Sequence, residues 1–224
     1  MSTKTALCIA ASGGVYKGAL KGSDTYTTLL ILFGGTAYLF YGAPGGANLS
    51  GVVVASNGAQ RSDGRYSSAS ALDYRIGSAP APPVALMANF ANAPAVSGAA
   101  VNKDGSPNLA FSASAASMLD VAPSLVNASG LYNGCGMSFG GATDTRLTVA
   151  ANGYAAGTTS SGCIFKGRVA PHAGVNAYDV AVTFGPAPCP NATVNGNAIL
   201  DGPRLLVALP SPDRANVFFF DGRK

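Results

Sequence analysis

The stretch "SGCIFKGRVAPHAGVNAYDVAVTFGPAPC", Ser161 to Cys189, decides how the chain is read. Two segments, "CIFKGRVA" and "AYDVAVTF", flank the Pro/Gly loop "PHAGVN", and the second alternates apolar and polar residues. Successive side chains of a strand point to opposite faces, so this alternation marks a half-buried strand. The two segments are expected to pair as a hairpin. Cys163 and Cys189 stand at its outer ends, which a hairpin brings together, and the predicted result is a disulfide worth about 3 kcal/mol on the chain-entropy model. His172, the single histidine, lies in the loop at the far end from both thiols.

Composition extends this reading to the whole chain of 224 residues, long enough for one large all-β domain or two of about 100 residues. Charged residues make up 11%, against a usual value of about 25%, and there is no Glu or Trp and one Gln, Gln60. Surface polarity must come from Ser, Thr, Asn, Asp and Gly, all poor helix formers. Tight-turn pairs recur in "SNGA" (Ser56), "KDGS" (Lys103), "ANGY" (Ala151), "VNGN" (Val194), "LDGP" (Leu200) and "FDGR" (Phe220). Between them lie short apolar or alternating runs such as "TYTTLLILF" (Thr25–Phe33), "TAYLFY" (Thr36–Tyr41), "GVVVA" (Gly51–Ala55), "RLLVAL" (Arg204–Leu209) and "NVFFF" (Asn216–Phe220). The chain reads as an all-β antiparallel meander.

The halves echo each other. "SGGVYKG" (Ser12–Gly18) resembles "SGLYNG" (Ser129–Gly134), with Tyr16 and Tyr132 116 positions apart. Two β-barrel-like modules of roughly eight short strands are therefore expected, over 12–120 and 129–224, with "SMLDVAPSLVNA" (Ser117–Ala128) as linker around Pro123. A single large barrel or a sandwich is the alternative architecture. Closing each sheet removes its edges. An integral outer-membrane barrel is disfavoured, because its strands need about 9–11 residues and aromatic girdles.

The chemistry-bearing residues are few. Zinc needs closely spaced Cys or His pairs, which are absent, and His172 is the one imidazole available to any nucleophile. It reads as an exposed loop residue, and no catalytic residue, metal ligand or cofactor is expected. The Gly-rich "GAPGGANLSG" (Gly42–Gly51) lacks the Lys-Ser/Thr tail of a phosphate loop. The net charge of +4 is scattered rather than gathered in a basic stripe, which argues against nucleic acid. Cys8 and Cys135 form the second candidate bridge. Phe33, Phe40 and Tyr41 are the candidate lining of an apolar ligand cavity, although they serve equally well to fill a core.

The opening "MSTKTALCIAASGG" is too short in apolar residues for a signal peptide, and "TAL" before Cys8 is not a lipobox. A mature segment preceded by an initiator Met is the simplest expectation. An even cysteine count in such a chain points to an oxidising compartment.

The blocks "GVVVASNG", "LDVAPSLVNASGLYNG", "SGCIFKG" and "YDVAVTFGPAPC", in this order, resemble a group of uncharacterised proteobacterial lipoproteins and exported surface proteins over nearly the whole chain from about Gly13. The motifs carried over are turns, strands and the Cys163/Cys189 pair. The chain departs from the group in the extra Cys8 and Cys135 and in the missing lipobox. The resemblance implies a non-enzymatic, disulfide-stabilised envelope protein, periplasmic or at the outer membrane and cell surface. Its partner would be a protein or small molecule, and it would touch a membrane only through a lipid anchor that this chain lacks. A carrier of a small apolar ligand, or an inhibitor presenting "APHAGVN", are the competing readings.

Overall fold

The computed structural model describes residues 13–23, 25–32, 34–44, 48–115, 122–138 and 141–224, with only the backbone course for 43 and 44. The first barrel is built from β1 (Gly14–Leu20), β2 (Thr25–Ile31), β3 (Ala37–Pro44), β4 (Leu49–Ser56), β6 (Arg65–Arg75), β7 (Pro83–Asn89), β8 (Ala95–Asn102) and β9 (Pro107–Ala115), while the two-residue β5 (Ala59–Gln60) hangs on β6. Each strand pairs with the next, β4 pairs with β6, and β9 returns to β1. After the short helix α1 (Leu125–Ala128) comes a second closed barrel: β10 (Gly130–Ser138), β11 (Gly141–Val149), β12 (Tyr154–Thr159), β13 (Ile164–Pro171), β14 (Tyr178–Phe184), β15 (Thr193–Asp201), β16 (Arg204–Pro210) and β17 (Val217–Arg223). The chain is two up-and-down, eight-stranded antiparallel barrels in tandem. Residues 117–121 of the expected linker lie outside the described residues.

The echoed motif does the same job in both barrels. Tyr16 and Tyr132 lie in the first strand of their barrels and are buried in the two barrel interiors. Two residues on, Gly18 and Gly134 face the last strand. A Cβ there would fall 1.9 Å from the Ser112 carbonyl oxygen and 2.0 Å from that of Asp221, respectively. The first strand therefore meets the last only where the side chain is absent, and Tyr-x-Gly is a closure motif.

The interiors are filled. Leu29, Leu39, Tyr41, Tyr66 and Phe111 pack inside the first barrel, and Phe165, Phe184, Leu205, Val207 and Phe220 inside the second. A void of only about 20 Å³ is left on the axis of the second. One of its ends is stoppered by α1. Ser124 caps the helix by accepting from Asn127 N at 3.2 Å, while Tyr132 Oη donates to Ala128 O at 2.8 Å and Tyr178 Oη to Ser124 O at 3.1 Å.

A third apolar cluster lies between the barrels. Leu30, Leu32, Tyr38, Phe40, Val52 and Val54 point outward from β2–β4 and pack with Met137, Val175, Ile199, Leu206, Val217 and Phe219 of the second barrel. These strands are apolar on both faces because one face fills a barrel and the other fills the seam. Polar cross-links secure the rim of this seam. Lys17 Nζ lies 2.5 Å from Asp201, Tyr38 Oη donates to Asn197 Oδ1 at 2.9 Å, and Leu49 N donates to Asp221 Oδ2 at 3.1 Å. Arg204 forks onto Asp221, hydrogen-bonds the Tyr26 hydroxyl and lies 4.4 Å over the Tyr26 ring.

Candidate functional site

The expected Cys163–Cys189 disulfide is present, with its Cα atoms 4.9 Å apart. It forms as the hairpin pattern dictates. Strands β13 and β14 pair from Phe165 opposite Phe184 to Pro171 opposite Tyr178, leaving Cys163 immediately before β13 and Cys189 in the connection that follows β14, at the same end. Opening this 26-residue span by Cys163→Ser with Cys189→Ser is expected to lower unfolding free energy by about 3 kcal/mol, read as a lower urea midpoint of the variant against the oxidised native chain.

Beside the disulfide, the second barrel is open. Facing ends of β10 and β11 and the three connections β12–β13, β14–β15 and β16–β17 surround a cup of about 350 Å³ at the end opposite α1. Its floor is aromatic. Phe184 and Phe218 form it, and Phe165 packs beneath them, the three rings making a mutually tilted trio with centroids 5.2–5.8 Å apart. Glycine makes this possible, since a Cβ at Gly157 would meet the Phe165 ring at 2.3 Å and one at Gly136 the Phe218 ring at 2.9 Å. The rings span the axis where ordinary side chains would have filled it. Above them the walls are Val194, Leu209, Pro188 and the disulfide, and the rim carries Ser138, Thr143, Thr159, Ser161, Ser211 and Asn216.

The rim is tied to the other barrel. Arg214, in the loop from Ser211 to Asn216, has φ of 58° and turns its guanidinium into the seam. There Nη1 donates to Ser56 Oγ at 2.9 Å and Ser70 Oγ at 3.0 Å, and Nη2 donates to Val54 O at 3.0 Å and Ser70 O at 3.2 Å. In return Tyr74 Oη donates to Arg214 O at 2.8 Å. The first barrel thus holds one wall of the cup in place.

The expected apolar cavity of Phe33, Phe40 and Tyr41 is not what the structure builds. Phe33 lies outside the described residues. Phe40 is buried in the seam, whereas its neighbour Tyr41 points into the first barrel and donates to Asp73 Oδ1 at 2.6 Å. Adjacent residues of one strand cannot line one cavity, and both sites are packed solid. The cup was missed because its lining is gathered from the ends of separate strands and the loops between them, with Leu209 and Phe218 read only as parts of apolar strands. The clue available was "GCGMS" with "GPAPCP": small residues where a barrel would otherwise be filled.

His172 also departs from expectation. It is half-buried, and its Nδ1 lies 2.8 Å from Asp179 Oδ1, which also accepts from Asn197 Nδ2 at 2.9 Å. Through Asn197 the pair connects to Tyr38 across the seam. Among the described residues, no hydroxyl or thiol side chain bonds to this imidazole, and it sits at the opposite end of the barrel from the cup. Nor is Cys135 poised for chemistry. Burial first, then the nearby Asp144 and Asp221 carboxylates, push its thiol upward, so it stays protonated and packs against the seam. Its expected partner Cys8 lies outside the described residues. Among the described residues no cluster of three metal-ligating side chains occurs.

A comparison with models of known protein families finds no match, and a comparison with curated proteins finds none.

Proposed function

We propose that the chain is an exported, non-enzymatic binding module of the bacterial envelope whose binding end is the mouth of the second barrel. The observation that carries this reading is the asymmetry of that barrel. One end is closed by α1 and its tyrosine hydrogen bonds, and the other opens into a disulfide-edged cup of about 350 Å³. A disulfide persists in oxidising compartments, which supports export. The first barrel acts as a buttress, through the seam and through Arg214.

The geometry speaks against an inhibitor that projects "APHAGVN". Val175 of that loop and the adjoining Ala177 are buried in the seam, and His172 is engaged by Asp179, so the loop's one large apolar side chain and its imidazole are already committed. The test compares immobilised protein with two variants, each adding an indole at an exposed residue: Ser161→Trp at the mouth and Val126→Trp at the stoppered end. Material retained from an envelope extract by the native chain should be lost with the first variant and kept with the second. Equal behaviour of the two variants refutes the mouth as the binding end.

A further inference from the structure

We infer that the occupant of the mouth is a small, uncharged molecule with an apolar body. This rests on the reading of the mouth as the binding end and goes on to name the chemistry it accepts. Three observations carry it.

The first is charge. Among the described residues, the walls and rim include no Lys, Arg or Asp side chain, so a charged group taken into the cup would lose its hydration without a counter-charge. The nearest acid on the rim loop, Asp213, is already engaged, accepting from Ser211 Oγ at 2.6 Å and from Ala215 N at 3.0 Å.

The second is that the rim hydroxyls are satisfied among themselves. Thr159 Oγ1 lies 2.8 Å from Ser161 Oγ and accepts from Cys163 N at 3.0 Å, and Thr143 Oγ1 lies 2.9 Å from Ser160 Oγ. Ser211 Oγ is bound to Asp213 and accepts from Asn216 N at 3.0 Å. A site built to read a polar ligand leaves its donors and acceptors unpaired when that ligand is missing, and discriminates by that penalty. Here an apolar guest strands nothing. The polar rim stays in water and the apolar body displaces water from the ring floor.

The third is shape. The floor of Phe184 and Phe218 lies inside the barrel wall, below the level of the loops, and the volume is at the small end of ligand pockets. A folded protein partner needs a broad patch of about 800 Å² on each side. A recess between four hairpins favours a compact molecule.

The experiment uses two probes sharing one ring system. N-phenyl-1-naphthylamine is uncharged, and 8-anilino-1-naphthalenesulfonate adds a sulfonate. Titrated into the whole chain, the uncharged probe should bind once per chain with a rise in its fluorescence, and the sulfonate at least tenfold more weakly. Leu209→Phe, which fills the wall, should weaken the uncharged probe at least tenfold. Because Leu209 is buried and its replacement can disturb folding, Ser161→Trp provides the same comparison from an exposed position.

Equal binding of both probes overturns the charge argument, and undiminished binding by Ser161→Trp overturns the site. No probe binding by the native chain, with an envelope partner still lost on Ser161→Trp, overturns the small-molecule inference and leaves the mouth as a protein-binding end. Loss of neither overturns both.

Discussion

Asp221→Ala is expected to destabilise the protein by about 3–5 kcal/mol, the cost of breaking a buried ion pair from one side. Asp221 is 4% exposed and accepts from Arg204 Nε at 2.7 Å and Nη2 at 2.6 Å, a two-pronged carboxylate–guanidinium contact. It also takes the hydrogen of Leu49 N from the other barrel, at 3.1 Å. Removing the carboxylate leaves a guanidinium of 11% side-chain exposure without its counter-charge and a buried amide without an acceptor. Arg204 retains only the Tyr26 hydroxyl and ring. In the native chain burial is the main cause holding the Tyr26 pKa far above the ordinary tyrosine value, and that burial remains when the Asp221 charge is removed, so the hydroxyl does not readily compensate as an anion. Asp221→Asn keeps the volume and one acceptor, so a smaller loss is expected. Urea unfolding followed by circular dichroism measures both. A loss below about 1 kcal/mol for the alanine variant would show that the pair contributes nothing net, as buried pairs sometimes do when neighbouring groups reorganise.

The strands and their closure were legible because they are local. The Asn-Gly and Asp-Gly turns at Asn57, Asp104, Asn152 and Asp201, period-two alternation in "AYDVAVTF" and the cysteines at the ends of one hairpin each depend on neighbours a few residues away, whereas "VNGN" and "FDGR", expected as turns, lie inside β15 and β17, where both glycines are paired in the barrel ladder. The repeat of Tyr-x-Gly was legible too, although its reason, the backbone of a strand about 90 residues later in the chain pressing on Gly18 or Gly134, was not. What local pattern hides is which face of a strand is doubly used. "TTLLIL", "AYLFY" and "GVVVA" in the first barrel, with "RLLVAL" and "VFFF" in the second, run apolar without alternation. In a barrel standing alone in water that pattern would expose every second side chain, so an unbroken run implies cover on both faces. Sequence reading gave Phe40 and Tyr41 one shared place, as the lining of a cavity or the filling of one barrel core, when each fills a different core. The cup escaped for a different reason: its lining residues stand far apart in the chain, and its ring floor depends on Phe165 and Phe218 folding over Gly157 and Gly136, a contact between strands that no local run reveals.

The same unbroken runs make the second large prediction. Produced separately, residues 13–115 and 122–224 are each expected to fail as stable monomers, and to recombine into a one-to-one complex when mixed. The outer wall of the second barrel carries Met137, Val175, Ile199, Leu206, Val217 and Phe219, all 5% exposed or less in the whole chain. At about 1.5–3 kcal/mol for each large apolar side chain withdrawn from water, the seam is worth on the order of 10 kcal/mol, comparable with the entire stability of a small domain. Such a wall left bare is a contiguous apolar patch of the kind that drives association. Light scattering after size exclusion gives the mass of each half and of the mixture. A monomeric second barrel whose urea midpoint equals that of the whole chain would sink the prediction, because it would mean that the seam is an incidental contact between independent barrels. Covalent linkage through α1 would then be all that relates them. The buttress role of Arg214 would fall with it, since a rim loop cannot be held by a barrel that the second barrel does not need. Recombination of two unstable halves would instead show that the paired barrels are one cooperative body. Arg214→Ala should then weaken occupancy of the cup with both barrel interiors intact.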